Sequence, residues 1–597
     1  MTATSRHDKS TRSENLSAQA ATNDDIRIAS SLADMRIDND KSAATPTQEQ
    51  ARTDNGHEHD GHEDVDDEDE VKRSLKSMLL EATPDDSQGL KELIERRITE
   101  GHGETLFEIG LEEDGTSMEL TEAEFETALK TVSSLTQTLG AGHAIIEKRV
   151  VQQKADLEPG VYAHLMIRRR PASVEDMLEI RVAVVGNVDA GKSTLLGVLT
   201  KGGLDDGRGK ARLNLFRHKH EIESGRTSSV GGEILGFDAD SKAILHPDNH
   251  SARKMSWDAV CAKAAKVLSF VDLAGHERYL KTTVFGMTGS APEFVMLMIG
   301  ANAGIIGMTK EHLGLALSLN IPVLVVVTKI DRCPPKILQN TMKELNAIMK
   351  SKSCRKIPYV IESDHDVVFN AQNFLSERLC PIFKISNVTG EGLDRLRTFL
   401  NILPSQSTYN TEEDFHYEIN ETYSVPFVGT VVSGILHSGI IRLQDKVLIG
   451  PDQAGQFAVT AIKGIQRKRS TVYVARAGQS VTFALKNVRR NAIHKGMVLL
   501  AYDKDKPMPK ATRKFEAEIR VLYHSTTIKQ KYQAMVHIGA VRQSATILTM
   551  EEQVLRTGDK ANVQFELIRN PEYLVVGTRL IFREGRTKGV GTITKLL

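Results

Sequence analysis

The chain is poor in cysteine: four in 597 residues, Cys261, Cys333, Cys354 and Cys380, scattered and never in CxxC or mixed His/Cys spacing. That pattern argues against a disulfide framework and a structural zinc site, and it suits reduced thiols in a reducing compartment. No uninterrupted apolar run approaches the roughly 18 residues of a membrane span, and the N-terminus has no apolar h-region. The sequence therefore predicts a soluble, cytoplasmic protein without membrane contact. What it does have is length, and a chain of this size supports several separately packed cores, three to five domains.

The net charge of −1 conceals an asymmetry. Residues 1–70 hold seven Lys/Arg against eighteen Asp/Glu, a net of −11, so the remainder carries about +10. A basic body of that kind attracts polyanions. Residues 1–72 are rich in Ser, Thr, Asp and Asn with no apolar period, which predicts a disordered acidic tail. His57, His59 and His62 near its end read as part of a solvated acidic linker rather than a metal site. From residue 73 to 172 the pattern turns globular. LKELIERRITEG reads as helix and TLFEIGL as strand. Thr121 to Glu124 form a capping box, and Phe125, Leu129, Val132, Leu135 and Leu139 follow at helical spacing. Strand-like runs AIIEKRVV and VYAHLMIRR complete a small α/β domain that carries no recognisable chemical motif.

The strongest signal is EIRVAVVGNVDAGKSTLLGVLTKG, an apolar strand, a glycine-rich loop and a helix. Gly186, Asn187, Val188, Asp189, Ala190, Gly191, Lys192, Ser193 and Thr194 make up the loop and the first helical turn. Such a loop wraps phosphates with backbone N–H groups at a helix N-terminus; Lys192 then meets the β and γ phosphates and Ser193 ligates Mg²⁺. KVLSFVDLAGHERY supplies a second buried strand ending in Asp272, Leu273, Ala274 and Gly275. Its carboxylate can hold Mg²⁺ through water and the Gly275 N–H can meet the γ phosphate, so the segment can rearrange when that phosphate leaves. IPVLVVVTKID delivers Thr328, Lys329 and Asp331 to the carboxyl edge of the sheet. Asp331 accepts from guanine N1–H and the exocyclic amine, and adenine lacks that pattern. Lys329 lies along the base through its alkyl stem. Thr328 offers one hydroxyl, expected to donate to the base N7 without making the second bond, to the neighbouring loop, that an Asn amide makes. IFKISNVTGEGLD ends a further strand in Ser386, Asn387 and Val388, where a backbone N–H can reach guanine O6. The order of these elements predicts a P-loop GTPase domain over residues 173–404.

RHKHEIESGRTSSVGGEILGFD, DLAGHERYLKTTVFGMTG and VTKIDRCPP, together with this motif order, resemble translational GTPases of the elongation factor Tu and elongation factor 1 alpha superfamily, and within it the GTP-binding protein 1 and 2 group. The resemblance covers about residues 175–597. It implies that the GTPase domain is followed by two β-barrel domains, at 411–505 and 511–597, in a monomeric multidomain protein. It further implies that Thr227 or Ser229 completes the Mg²⁺ shell from switch I, and that His276 orients the attacking water. Val188 would gate that histidine, and Asp189 would hold a monovalent cation. Tyr423 aligns with the aromatic beside the aminoacyl-adenosine pocket, and Arg583, Arg586 and Lys588 with the loop that grips a tRNA T stem. The partners implied are GTP and GDP, the ribosome, and aminoacyl-tRNA or a related RNA, in elongation. The segment before the P-loop supports a second reading, a GTP-switched scaffold that recruits RNA-decay or ribosome-surveillance proteins.

Overall fold

The computed structural model describes residues 74–81, 83–112, 117–151, 160–216, 218–245, 255–376, 378–405, 409–585 and 587–597. The acidic tail with its histidines, and Arg586, lie outside these residues. The first unit packs the helices Leu75–Leu80, Pro84–Glu100 and Glu122–Thr138 on three antiparallel strands, β1 (Glu104–Ile109), β2 (Ala141–Val151) and β3 (Gly160–Arg169), with β3 in the centre. The capping box forms as the sequence predicts: Glu124 N–H donates to Thr121 Oγ1 at 3.3 Å and Thr121 N–H donates to Glu124 Oε2 at 2.7 Å. Phe125, Val132 and Leu135 then fall on the buried face of the helix.

Eight strands form the next sheet: β4 (Leu178–Gly186), β5 (Gly231–Phe237), β6 (Ala243–Ile244), β7 (Lys266–Asp272), β8 (Phe294–Gly300), β9 (Val323–Thr328), β10 (Ile357–Val360) and β11 (Leu379–Lys384). Their order is β10-β11-β9-β8-β4-β7-β5-β6. All are parallel from β10 through β7, and β5 and β6 add an antiparallel edge. Every residue of β7, β8 and β9 is buried, because helices cover both faces; that is why these strands read as continuous apolar runs instead of alternating ones. The strand order reverses at β4, which lies between β8 and β7. A crevice at the carboxyl ends of such strands is where ligands of open α/β sheets bind.

Beyond the sheet the chain turns to β structure with alternating burial. Strands from His416–Val425 to Val498–Ala501 form a seven-stranded sheet in which Lys446–Gly450 also pairs with Ala458–Arg467, rolling it up. Six strands from Lys514–Tyr523 to Thr587–Leu596 form a closed barrel. No helix among the described residues is long and apolar enough to cross a membrane.

Buried ion pairs join these units. Glu104 on β1 accepts from Arg168 Nε at 2.7 Å and from Lys266 Nζ, on β7, at 2.5 Å. Lys266 also donates to the carbonyls of Asn401 and Leu403, at 2.7 and 2.6 Å. Burial pushes the Lys266 ammonium down to about 8. Burial opposes the charge on Glu104 as well, but the two cations outweigh it and hold the carboxyl below its ordinary value. The first barrel is seated on the start of β4: Lys468 pairs with Glu179 at 2.7 Å, and Arg467 donates to the Met177 carbonyl at 2.7 Å. The second barrel touches the helix Gly307–Ser318, where Arg579 donates to the Ser318 carbonyl at 2.9 Å.

Candidate nucleotide-binding site

Two glycines with left-handed φ, Gly186 at 143° and Gly191 at 85°, bracket the loop that leaves β4. A side chain is disfavoured at both, so glycine is what lets the loop turn sharply into the helix Lys192–Lys201. No side chain caps that helix, which leaves its first N–H groups for an anion. Lys192 folds back over the loop, its Nζ donating to the carbonyls of Gly186 at 3.0 Å and Asn187 at 2.8 Å. Burial lowers this ammonium to about 8, and a polyanion beside it would favour the charged form and raise it again. Val188 and Asp189 lie at the mouth of the loop, with Asp189 exposed and at φ 60°. A Cβ on Gly275 would collide with the Lys192 ammonium and the Gly186 carbonyl. The segment after β7 therefore approaches the loop as closely as backbone allows.

An oxygen cluster lies at the start of the helix. Ser193 Oγ donates to Asp272 Oδ2 at 2.6 Å and is 3.0 Å from Thr227 Oγ1. Asp272 is 5% exposed, burial raises its carboxyl above the ordinary value, and its Oδ1 has no partner among the described residues. Of the two switch I hydroxyls expected here, the structure brings in Thr227. Ser229 instead donates to Glu221 Oε1 at 3.1 Å, and that carboxylate also accepts from Ser228 and from the backbone N–H of both serines. His276 lines the same cleft as Val188, Lys192 and Thr227. Its Nδ1 accepts from Arg278 N–H at 3.1 Å, so the neutral ring carries its proton on Nε2.

On the base side one expectation needs correction. Thr328 is fully buried and its hydroxyl donates to the Ala190 carbonyl at 2.8 Å. It makes the bond to the P-loop that an Asn was expected to supply, and its single proton is spent there, leaving none for N7. Lys329 adopts φ 62° and turns the chain so that Asp331 meets the β11 loop, where Ser386 Oγ donates to Asp331 Oδ1 at 2.7 Å. Ser386 Oγ also accepts from the N–H groups of Val388 and Thr389, at 3.2 and 3.1 Å. The Asn387 N–H has no hydrogen bond among the described residues. The Asn387 side chain is buried beside Gly191, with its Oδ1 unpartnered among the described residues.

The basic residues expected to face RNA are placed differently. Arg583 and Lys588 turn toward the GTPase sheet and pair with Glu311 on the helix Gly307–Ser318. Each side chain is less than a fifth exposed. Tyr423 is 47% exposed on its strand, near the hairpin tip that presents Phe427 fully to solvent. Sequence reasoning missed Glu221 and Arg212. The run EIESGRTSS, Glu221 to Ser229, signalled the first, since a carboxylate four residues before a glycine can satisfy the turn beyond it. Nothing in the sequence places Arg212, which lies outside every motif and reaches the cleft only through the fold.

A P-loop, a γ-phosphate sensor and a guanine-reading pair of loops on one sheet edge, with β-barrels behind, define a GTPase of the elongation factor Tu class. The sequence profile described as Elongation factor Tu GTP binding domain matches residues 178–406, and that described as Elongation factor Tu domain 2 matches residues 429–500. The chain is 53% identical over 528 residues to GTP-binding protein 1 of Xenopus laevis, covering 88% of this chain and 79% of that protein. It is 44% identical over 505 residues to human GTP-binding protein 2, covering 83% and 82%. The chain belongs to the GTP-binding protein 1 and 2 family; it binds GTP and is a GTPase. Among solved structures, the GTPase-like domain of S. cerevisiae Ski7 bound to GTP is similar in fold, with a TM-score of 0.52 at 14% identity, covering 70% of this chain and 97% of that one. A bacterial selenocysteine-specific elongation factor gives a TM-score of 0.50 at 20% identity; this chain is covered to 70% and spans 58% of that protein.

Proposed function

We propose that this protein is a GTP-switched factor that holds aminoacyl-tRNA or a related RNA and releases it at the ribosome on hydrolysis. The observation that carries the reading is the contact of Ser193 with both Asp272 and Thr227. P-loop, sensor and switch I meet at one hydroxyl, so loss of the γ phosphate is felt by both mobile segments. In this reading Lys192 and the N–H groups from Val188 to Thr194 hold the phosphates, Gly275 N–H reads the γ phosphate, and Asp331 with Asn387 N–H reads guanine. The donor set at Ser193, Thr227 and Asp272 is oxygen only, with one buried carboxylate oxygen unpartnered among the described residues, and it fits Mg²⁺. Bound Mg²⁺ supplies charge neutralisation on the β and γ phosphates.

Hydrolysis here is mostly positioning. The water oxygen bonds to the γ phosphorus, the bond to the bridging oxygen breaks with its electron pair left on GDP, and the water proton passes to the phosphate. His276, with Nδ1 already accepting, presents an Nε2–H donor. It orients the water or the γ oxygens and takes no proton. Filter binding of charged against uncharged tRNA with GTP or GDP tests the cargo role: GTP-dependent preference for the charged form is expected, and equal binding of the two would sink it.

One observation favours the scaffold reading instead. With Arg583 and Lys588 engaged by Glu311, the second barrel offers RNA less free charge than the resemblance implies, while the N-terminal unit is fastened to β7 by Glu104. A GTP-dependent set of RNA-decay or ribosome-surveillance partners that is lost on deleting residues 1–172 would decide for it.

A further inference from the structure

Arg212 lies in the same cleft as Lys192, Ser193, Thr227, Gly275 and His276. It belongs to the short helix Lys210–Leu215, outside every motif of the nucleotide site. Two glycines make its seat. A Cβ on Gly209 would stand 2.6 Å from Arg212 Nε, and one on Gly225, in switch I, 3.1 Å from its Nη2. Both glycines have left-handed φ, 89° and 65°, so the space beside each backbone is kept open for the guanidinium.

Arg212 is half-buried, and among the described residues its guanidinium has neither a hydrogen-bond nor an ion-pair partner; its backbone N–H alone donates, to the Gly209 carbonyl at 3.2 Å. The fully buried arginines do have partners: Arg168 pairs with Glu104 at 2.7 Å, and Arg467 with Glu179 at 3.6 Å. A partly desolvated cation without an anion is costly unless a ligand brings one. The loop beneath is rigidly tied. Asp205 accepts from the N–H groups of Gly207, Gly209 and Ala211 at 3.0, 3.1 and 3.0 Å, and its own N–H donates to the Asn387 carbonyl at 2.9 Å. The segment that carries Arg212 is thus anchored on the Asn387 loop, while the guanidinium itself lies against Gly225 of switch I, in the cleft that Gly275 and His276 also line.

We propose that Arg212 is a catalytic residue of the GTPase reaction, a guanidinium supplied in cis that contacts the transferring phosphoryl group. As the bond between the γ phosphorus and the bridging oxygen breaks, the electron pair moves onto that oxygen and then onto the GDP β phosphate. Arg212 donates hydrogen bonds to this developing charge, which Lys192 alone, held against its own loop, does not fully meet. Its packing on Gly225 makes its position depend on switch I, so it is in place only when switch I is closed. This inference rests on the GTPase reading above.

The test compares wild type, R212A and R212K in the full chain, by single-turnover GTP hydrolysis, by affinity for fluorescent GDP and GTP, and by formation of the GDP–aluminium fluoride complex. R212A should lower the single-turnover rate by at least about thirty-fold, lose the aluminium fluoride complex and keep its nucleotide affinities. R212K should recover only part of the rate, because an ammonium lacks the planar two-pronged donor. Wild-type hydrolysis and complex formation in R212A would overturn the proposal, and so would an affinity loss as large as the rate loss, which would mark a binding residue only. A wild-type chain that binds no guanine nucleotide would overturn the GTPase reading itself, a result distinct from either.

Discussion

The hydroxyl of Thr328, at the end of β9, donates to the carbonyl of Ala190 in the P-loop at 2.8 Å. This bond ties the base-reading strand directly to the phosphate-binding loop, across 138 residues of sequence. Thr328→Val keeps the shape and removes the donor, leaving a buried carbonyl unmet at about 1–3 kcal/mol. GDP dissociation should quicken by about tenfold or more, measured by stopped-flow fluorescence. Thr328→Asn should change it little, because the bridge already exists.

Glu104→Ala removes the anion between two buried cations. Uncompensated buried charge of this kind costs about 3–5 kcal/mol. Chemical denaturation should show that loss, and the double change of Glu104→Ala with Lys266→Met should recover part of it by removing one stranded ammonium. Equal stability of single and double variants would show that Lys266 finds another partner when Glu104 is gone.

Nucleotide binding should take up protons in alkaline solution. Burial holds free Lys192 at about 8, below its ordinary value, and phosphates beside it favour the charged form and raise it. Between the free and bound values the complex therefore holds more protons than the free protein, so binding at pH 8.5 should absorb a fraction of a proton and binding at pH 6.5 almost none. The same linkage makes apparent GDP affinity fall as pH rises above about 8. Calorimetry in buffers of differing ionisation enthalpy reads this directly, and uptake that is the same at both pH values would mean Lys192 does not gain its charge from the ligand.

Much of this was legible in the sequence, and for stated reasons. Strands buried on both faces read as unbroken apolar runs, so β7 and β9 were visible, and the loops at their ends carry fixed residue types because phosphate and guanine demand them. The capping box at Thr121 is local chemistry and formed as expected. What escaped was set by tertiary placement. Thr328 faces the P-loop instead of the base because β9 buries it completely, and no residue beside it says so. Arg583 and Lys588 look like a free basic loop until the fold puts Glu311 opposite them. Ser229 and Thr227 are alike in sequence, and only the position of Glu221, beneath the turn, separates them.

His276 supplies the last prediction. Because its Nδ1 accepts from the Arg278 N–H, the neutral ring is a donor at Nε2 and has no free acceptor with which to take a proton from water. His276→Ala should leave GTP and GDP affinity unchanged while single-turnover hydrolysis, alone or with ribosomes, falls by more than about tenfold. His276→Gln, which retains a donor of similar reach, should recover part of the rate, whereas a general base would not be replaced by a neutral amide. An inactive His276→Gln would assign proton abstraction to His276 and refute the donor role.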